Sequence, residues 1–178
     1  MKWKRLNSEY LVKSKWLKIR RDEVQLPNGT ILDDYFIIEK NNVALIVAMD
    51  KNKRVILKKE YRYAIDKELI EIPGGTYDNE SDDPLDVAKR ELLEETGYES
   101  NDWDFLGMLY DYPTKDTNTI SLYMAKNIYK VAEQKLDISE DITYEFVPIK
   151  EAIRMCIDIE IQVSGSIAAL MKAFLTIA

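Results

Sequence analysis

The sequence contains no histidine and only one cysteine, Cys156. Without histidine there is no imidazole zinc site, no Ser-His-Asp triad and no imidazole acid–base pair. Hydrolytic chemistry is left to carboxylates, hydroxyls, lysine or metal-bound water. One thiol forms no intrachain disulfide and fits a reducing cytoplasm. No apolar run reaches the roughly 20 residues of a membrane span. The N-terminus, MKWKRLNSEYLVK, is basic but has no apolar core of a secretory signal. The expectation is therefore a cytoplasmic protein with no membrane segment. Basic charge is in deficit too, with a formal net charge of −7. That argues against a nucleic-acid binder, which would carry a basic face. An acidic protein would also repel an anionic substrate unless cations stand between them.

What is present reads as an ordinary globular chain, 46% hydrophobic and 32% charged. Its 178 residues suit one domain with a modest extension. Between Leu17 and Glu39 two apolar runs flank Pro27-Asn28-Gly29-Thr30, a turn between strands. Val43 to Met49 is a continuous apolar run, expected to be a buried strand. A polar turn, Asp50 to Lys53, leads into a second strand, Arg54 to Lys59. A third, Leu69 to Ile72, ends at Pro73-Gly74-Gly75. Asp82 or Asp83 can cap a helix whose first turn begins at Pro84 and which Gly97 stops. Further strands are expected around Phe105 to Tyr110, Ile120 to Ala125 and Tyr144 to Val147. Ile149, Ala152, Ile153 and Cys156 recur at helical spacing, as do Ile167, Leu170, Met171 and Phe174. Both sets read as core-facing stripes, which places Cys156 in the core. This mixed order of elements indicates an α/β or α+β layered domain.

The segment that carries chemistry is PGGTYDNESDDPLDVAKRELLEETGY, from Pro73 to Tyr98. Glu91, Glu94 and Glu95 stand at i, i+3 and i+4, within an arc of roughly 100° on a helix. Leu85, Ala88 and Leu92 lie beside that arc and can pack inward. Like charges on one stripe destabilise a helix by a few tenths of a kcal/mol per pair, and a cation between them reverses the sign. Hard oxygen ligands without histidine or cysteine suit Mg²⁺ or Mn²⁺. The plain alternative is a solvated acidic face. Arg90 just before the cluster, Gly74-Gly75 upstream and Gly97 at the helix end make a far rarer combination.

That combination resembles the Nudix box, G-x5-E-x7-R-E-U-x-E-E-x-G-U, with Arg90, Glu91, Leu92, Glu94, Glu95, Gly97 and Tyr98 matching its second half. The resemblance implies an α/β/α sandwich with a mixed sheet, and Mg²⁺ (or Mn²⁺) held chiefly by Glu91 and Glu95 with Glu94 in support. It also implies that Arg90 holds these carboxylates through charge-assisted bonds, and that a backbone carbonyl near Gly74 adds a ligand. The first half of the box departs from the pattern. The sixth residue after Gly75 is Ser81, whereas counting back from Arg90 puts the family glutamate at Asp82. The loop thus carries one extra residue, with Asp82 or Glu80 in place of that glutamate.

Three features outside the box resemble the branch that hydrolyses ADP-ribose and nucleoside-diphosphate sugars. They are the run Lys59-Glu60-Tyr61-Arg62-Tyr63 followed by Glu68 to Gly75, the N-terminal stretch with LPNGT, and Pro113, fifteen residues past Tyr98. The resemblance implies residues 1–40 as an antiparallel β extension that pairs two copies into a homodimer, and 41–178 as the catalytic domain. Arg62 is either a surface salt-bridge former or a clamp for a diphosphate. Tyr61 and Tyr63 are either half-buried strand residues or a platform for a base. Pro113 either shapes a turn or marks the substrate site. Trp3 and Trp16 read as packing or dimer-contact residues. The general base is expected within Asp137 to Asp141, with Glu140 as base or as a further metal ligand. The expected reaction is cleavage of ADP-ribose or a related nucleoside-diphosphate sugar to a nucleoside monophosphate and a sugar phosphate. The competing readings are clean-up of oxidised nucleotides and a catalytically silent nucleotide sensor.

Overall fold

The computed structural model describes residues 2–77 and 82–177. Three strands, β1 (Lys4–Lys13), β2 (Lys18–Gln25) and β3 (Ile31–Glu39), form an antiparallel sheet in that order. The expected turn joins β2 to β3. The Leu26 N–H donates to the Thr30 carbonyl at 2.8 Å, and Gly29 takes φ 87°, a conformation that costs little without a Cβ. The first strand escaped the reading of apolar runs because every one of its ten residues is exposed. It has no buried face to impose a pattern.

Next along the chain come β4 (Asn42–Ala48), β5 (Arg54–Arg62), β6 (Lys67–Glu71), β7 (Gly74–Tyr77) and α1 (Pro84–Thr96). They are followed by β8 (Tyr98–Glu99), β9 (Asp102–Tyr110), β10 (Thr119–Lys126), β11 (Tyr129–Lys130) and β12 (Ile142–Pro148), then α2 (Ile149–Ile157) and α3 (Ser164–Ile177). A mixed sheet runs in the order β7-β4-β10-β9, with β4 parallel to β10 and its other pairings antiparallel. An antiparallel sheet, β12-β5-β6, lies beside it, and β8 pairs with β11. Among the described residues, no helix is long and apolar enough to cross a membrane.

The period-two alternation of β4 explains the layering. Val43, Leu45 and Val47 join the cluster that holds Ala152 and Met155 of α2 and Leu170 and Ala173 of α3. Ala44, Ile46 and Ala48 point the other way, into the cluster with Val87, Ala88 and Leu92 of α1. A strand buried on both faces reads as an unbroken apolar run, and helices cover it on both sides: the α/β/α arrangement. Each fully buried aliphatic side chain, such as Leu92 or Leu170, contributes about 1.5–3 kcal/mol by leaving water.

Two local details sharpen the expectations. Of the two candidate caps, Asp83 is the one used: its carboxylate accepts from the Leu85 and Asp86 N–H groups. Gly74 and Gly75, expected as the end of a strand, instead open a new one. Their pairing with Leu45 and Ala44 was invisible to local pattern because it is made with a strand thirty residues earlier.

Candidate active site

The carboxylate stripe of α1 is built from its packing. Ala88 and Leu92 are fully buried, and this rotates the neighbouring face, with Glu91 and Glu95, toward the start of β7. Both glutamates are buried. The approach is so close that a Cβ on Gly75 would stand 2.2 Å from the Glu91 carboxyl carbon, and one on Gly74 would stand 2.4 Å from the Ala44 carbonyl oxygen. At Gly74 the obstacle is backbone, which leaves no room for a side chain, and at Gly75 it is the Glu91 carboxylate alone. Arg90 reaches across the stripe, donating to Glu91 at 2.7 Å and to Glu94 at 3.2 Å. The Gly74 N–H donates to Glu95 Oε2 at 2.9 Å.

Facing this helix, alternate residues of β5 present Lys58, Glu60 and Arg62 in a row. Lys58 is buried and donates to Glu95 Oε1, and its Nζ lies 3.0 Å from Glu60 Oε2. Arg62 donates to Glu60 at 2.6 Å and grips Glu71 with two bonds of 2.7 Å. The third wall is the segment between β11 and β12. It is tied to the end of α1, where the last carbonyls of a helix lack partners. The Lys135 N–H donates to the Glu94 carbonyl at 2.8 Å, and the Gln134 amide donates to the carbonyls of Glu95 at 2.7 Å and Ile142 at 3.2 Å. Glu140 follows, its side chain accepting the Asp137 N–H at 2.9 Å.

These walls enclose a cleft of about 610 Å³, which the start of α3 also borders through Ser164 and Gly165. Among the described residues, eight carboxylates line it against four cations: Glu60, Glu71, Glu91, Glu94, Glu95, Asp111, Asp137 and Glu140 against Lys58, Arg62, Arg90 and Lys135. Burial pushes the Glu95 carboxyl up to about 7, against the opposing pull of Lys58 and the Gly74 N–H. Glu91 is raised as well, first by burial and then by Glu94 and Glu140, with Arg90 opposing. Burial works to lower the Lys58 ammonium, but Glu95 and Glu60 outweigh it and leave it raised. The two directions are compatible, since Lys58 has two carboxylates beside it whereas Glu95 shares that one ammonium with Glu60.

The donor set fits a hard divalent cation: clustered carboxylate oxygens, an excess of buried negative charge, and glycines that let backbone approach. Glu60 Oε2 is buried without a hydrogen bond of good geometry, held by charge alone. Among the described residues, no three carboxylates already converge closely enough to cage an ion. Their oxygens are turned toward Lys58, Arg90 and the Gly74 N–H.

Residues 39–164 match the NUDIX domain, well over half of the chain. The chain belongs to the Nudix family. Residues 3–38 match the nucleoside diphosphate sugar hydrolase N-terminal domain, which places this Nudix hydrolase in the branch of ADP-ribose and nucleoside-diphosphate-sugar enzymes. An ADP-ribose pyrophosphatase of Mycobacterium tuberculosis is 31% identical over 93% of this chain and 80% of its own length. A GDP-mannose pyrophosphatase of Yersinia enterocolitica is 31% identical over 97% of this chain and 95% of its own. A solved structure described as an ADP compounds hydrolase superposes with a TM-score of 0.85 at 20% identity, covering 99% of this chain and 95% of the other. At that identity the likeness shows a shared fold.

Of the residues expected at the Nudix site, Gly74, Arg90, Glu91, Glu94, Glu95, Arg62 and Glu140 all line the one cleft. Arg62 lies there with its guanidinium engaged by Glu60 and Glu71. Tyr61 faces away from Glu60 and Arg62, because adjacent strand residues point to opposite sides. It is half exposed and donates to Asp66. Tyr63 is 87% exposed in a short 3-10 turn after β5. Pro113 occupies an exposed turn two residues beyond Asp111, the lining residue of that loop. Trp3 packs edge-on against Tyr35, and Trp16 is exposed with the Lys15 ammonium over its ring. Cys156 is buried, and burial raises its thiol. Asp82 is exposed ahead of the helix cap, while Glu80 lies outside the described residues. The reading of the sequence missed Lys58, Glu60, Glu71, Lys135 and Asp111 as cleft residues, whereas Asp137 and Gly75, named in the base segment and the glycine pair, do line it. For Lys58, Glu60 and Arg62 the signal was there: a period-two row of charges continuing the strand after Ile56.

Proposed function

We propose that this Nudix hydrolase cleaves the pyrophosphate bond of ADP-ribose or a related nucleoside-diphosphate sugar, giving a nucleoside monophosphate and a sugar phosphate. The observation that carries the reading is the convergence of Arg90, Glu91, Glu94, Glu95 and Glu140 on one cleft, although they come from a helix and a distant loop. The names of the M. tuberculosis and Y. enterocolitica relatives support the substrate class.

Glu91, Glu94 and Glu95, with the Gly74 carbonyl, would hold Mg²⁺ or Mn²⁺. When bound, such an ion neutralises phosphate oxygens and lowers the pKa of a coordinated water. The chain's own residues do the rest. Arg90 keeps Glu91 and Glu94 together on one side of the cleft. Glu95 has two of its four lone-pair sites taken by Lys58 and Gly74, which fixes its plane and leaves two free. Glu140, a partly exposed carboxylate lining the cleft from the segment between β11 and β12, would accept the proton of the attacking water. Lys135 contributes positive charge at the mouth for the departing phosphate. Tyr61 and Pro113 are not among the residues that line the cleft.

Two copies are inferred to pair through the N-terminal sheet. Trp3, Leu6, Tyr10, Leu11 and Val12 are exposed there, and a three-stranded sheet needs a covered hydrophobic face for stability. Sedimentation of the protein as a monomer at micromolar concentration would refute the pairing.

The test of function is product analysis with Mg²⁺ against ADP-ribose, UDP-, GDP- and ADP-sugars and oxidised dGTP. AMP and ribose 5-phosphate, abolished by EDTA, are the expected products from ADP-ribose. Pyrophosphate from the triphosphate alone would move the protein to nucleotide clean-up. Binding without turnover of any member would make it a sensor.

A further inference from the structure

The cleft carries a lysine where its surroundings call for an apolar residue. Lys58 shares a strand face with Ile56, which sits in the core against α1, and it is itself only 2% exposed. An ammonium is costly to bury unless its partners replace water fully. Lys58 has such partners: Glu95 on one side and Glu60 on the other. The series continues, since Glu60 is bound by Arg62, and Arg62 by Glu71. Glu95, Lys58, Glu60, Arg62 and Glu71 thus alternate in sign along one wall. Glu95, Glu60 and Glu71 are paired along this series, whereas Glu91 and Glu94 share the half-exposed Arg90.

We propose that Lys58 is a built-in cation of the active site. Its ammonium holds Glu95 and Glu60 where a divalent ion would otherwise be needed, so the site is complete with one metal ion fewer than its carboxylates could take. Lys58 is a positioning residue: buried between Glu60 and Glu95, it orients Glu95, which with Glu91 would hold the ion. The buried Glu60 Oε2, 3.0 Å from Lys58 Nζ and without a hydrogen bond, marks the vulnerable point. Remove the ammonium, and two buried carboxylates face one another with nothing between them. The inference rests on reading the cleft as a metal site, and the test separates the two.

Mn²⁺ binding is measured by the electron paramagnetic resonance of the free ion, at equilibrium and without substrate. The proteins are wild type, Lys58→Met and Glu91→Gln, each checked for folding by circular dichroism. Lys58→Met is expected to bind one more Mn²⁺ per chain than wild type, and to gain more thermal stability from Mn²⁺ than wild type does. A folded Lys58→Met protein that binds the same number of ions or fewer overturns the proposal while leaving the metal site standing. Wild-type protein that binds no Mn²⁺, with Glu91→Gln no different, overturns the metal reading and the proposal with it. Should Lys58→Met not fold, Lys58→Gln takes its place, keeping an amide donor toward the two carboxylates without the positive charge. It must show the same extra ion at the freed Glu95, and its failure to do so refutes the proposal.

Discussion

Adding one methyl group at Gly75 should silence the enzyme without unfolding it. The Cβ of Gly75→Ala would stand 2.2 Å from Glu91 Cδ and Oε1 and 2.6 Å from Oε2. Carbon contacts settle near 3.5–4 Å, so the carboxylate must retreat by more than about 1 Å. It is the end of a flexible side chain, and an off-rotamer glutamate costs about 0.5–1.5 kcal/mol. For a chain of this size that lowers the melting temperature by only a few degrees. A displacement of about 1 Å in catalytic geometry, by contrast, costs about 10²-fold in rate. Gly74→Ala is the internal control. Its Cβ would meet the Ala44 carbonyl oxygen at 2.4 Å and Leu45 Cδ2 at 2.7 Å. Backbone in a paired strand cannot swing aside, so overpacking should cost about 1–3 kcal/mol or more. The assay is kcat/KM on the best nucleotide sugar together with a thermal melt. Gly75→Ala with kcat/KM within about threefold of wild type would refute the role of Glu91, and Gly74→Ala with an unchanged melt would refute the packing argument.

Other consequences can be checked with the same protein. Glu140→Gln should lower kcat by about 10²-fold or more if Glu140 is the base, and a near-normal rate removes it from the mechanism. Glu95→Gln should abolish metal-dependent turnover with the fold retained; unchanged activity at saturating substrate would sink its assignment. The same variant tests the titration of Glu95. Its carboxyl is raised from 4.5 to about 7 by burial, so the folded state holds its proton longer than the unfolded chain does. Stability is therefore full below about pH 4.5 and declines as pH rises through about 7, by up to about 3 kcal/mol in metal-free protein. Denaturant melts in EDTA at pH 5 and 7.5 should show this decline in wild type and much less in Glu95→Gln; equal slopes would contradict it. Asp83→Ala removes the cap of α1 and should cost about 1 kcal/mol, read as a drop in denaturation midpoint.

Much of this was legible in the order of residues because the interactions concerned are local. A capping aspartate followed by proline, three glutamates at helical spacing and a terminating glycine each act within one or two turns of chain. The apolar run from Val43 to Met49 announced a strand covered on both faces, and the stripes of α2 and α3 announced their cores. Where the reading stopped short, the partner was remote. The pairing of β7 with β4 is set by contact between backbones, and the exposed β1 has no apolar face to betray it. Tyr61 and Arg62 are neighbours in sequence, and only the pleat of β5 decides that Arg62 enters the cleft while Tyr61 leaves it.

The sequence by itself determined the chemistry available to this protein. Lacking histidine, it left hydrolysis to carboxylates, hydroxyls, lysine or metal-bound water, and it clustered three carboxylates on one helix. The tertiary structure decided which charges meet. It buried Lys58 between Glu60 and Glu95 and pressed Gly75 against Glu91. It also tied the loop of Glu140 to the end of α1 through Gln134. The physical reason is range: capping and helical periodicity act over a few residues of chain, whereas desolvation and charge pairing depend on distances in space that only the packed sheet and helix establish.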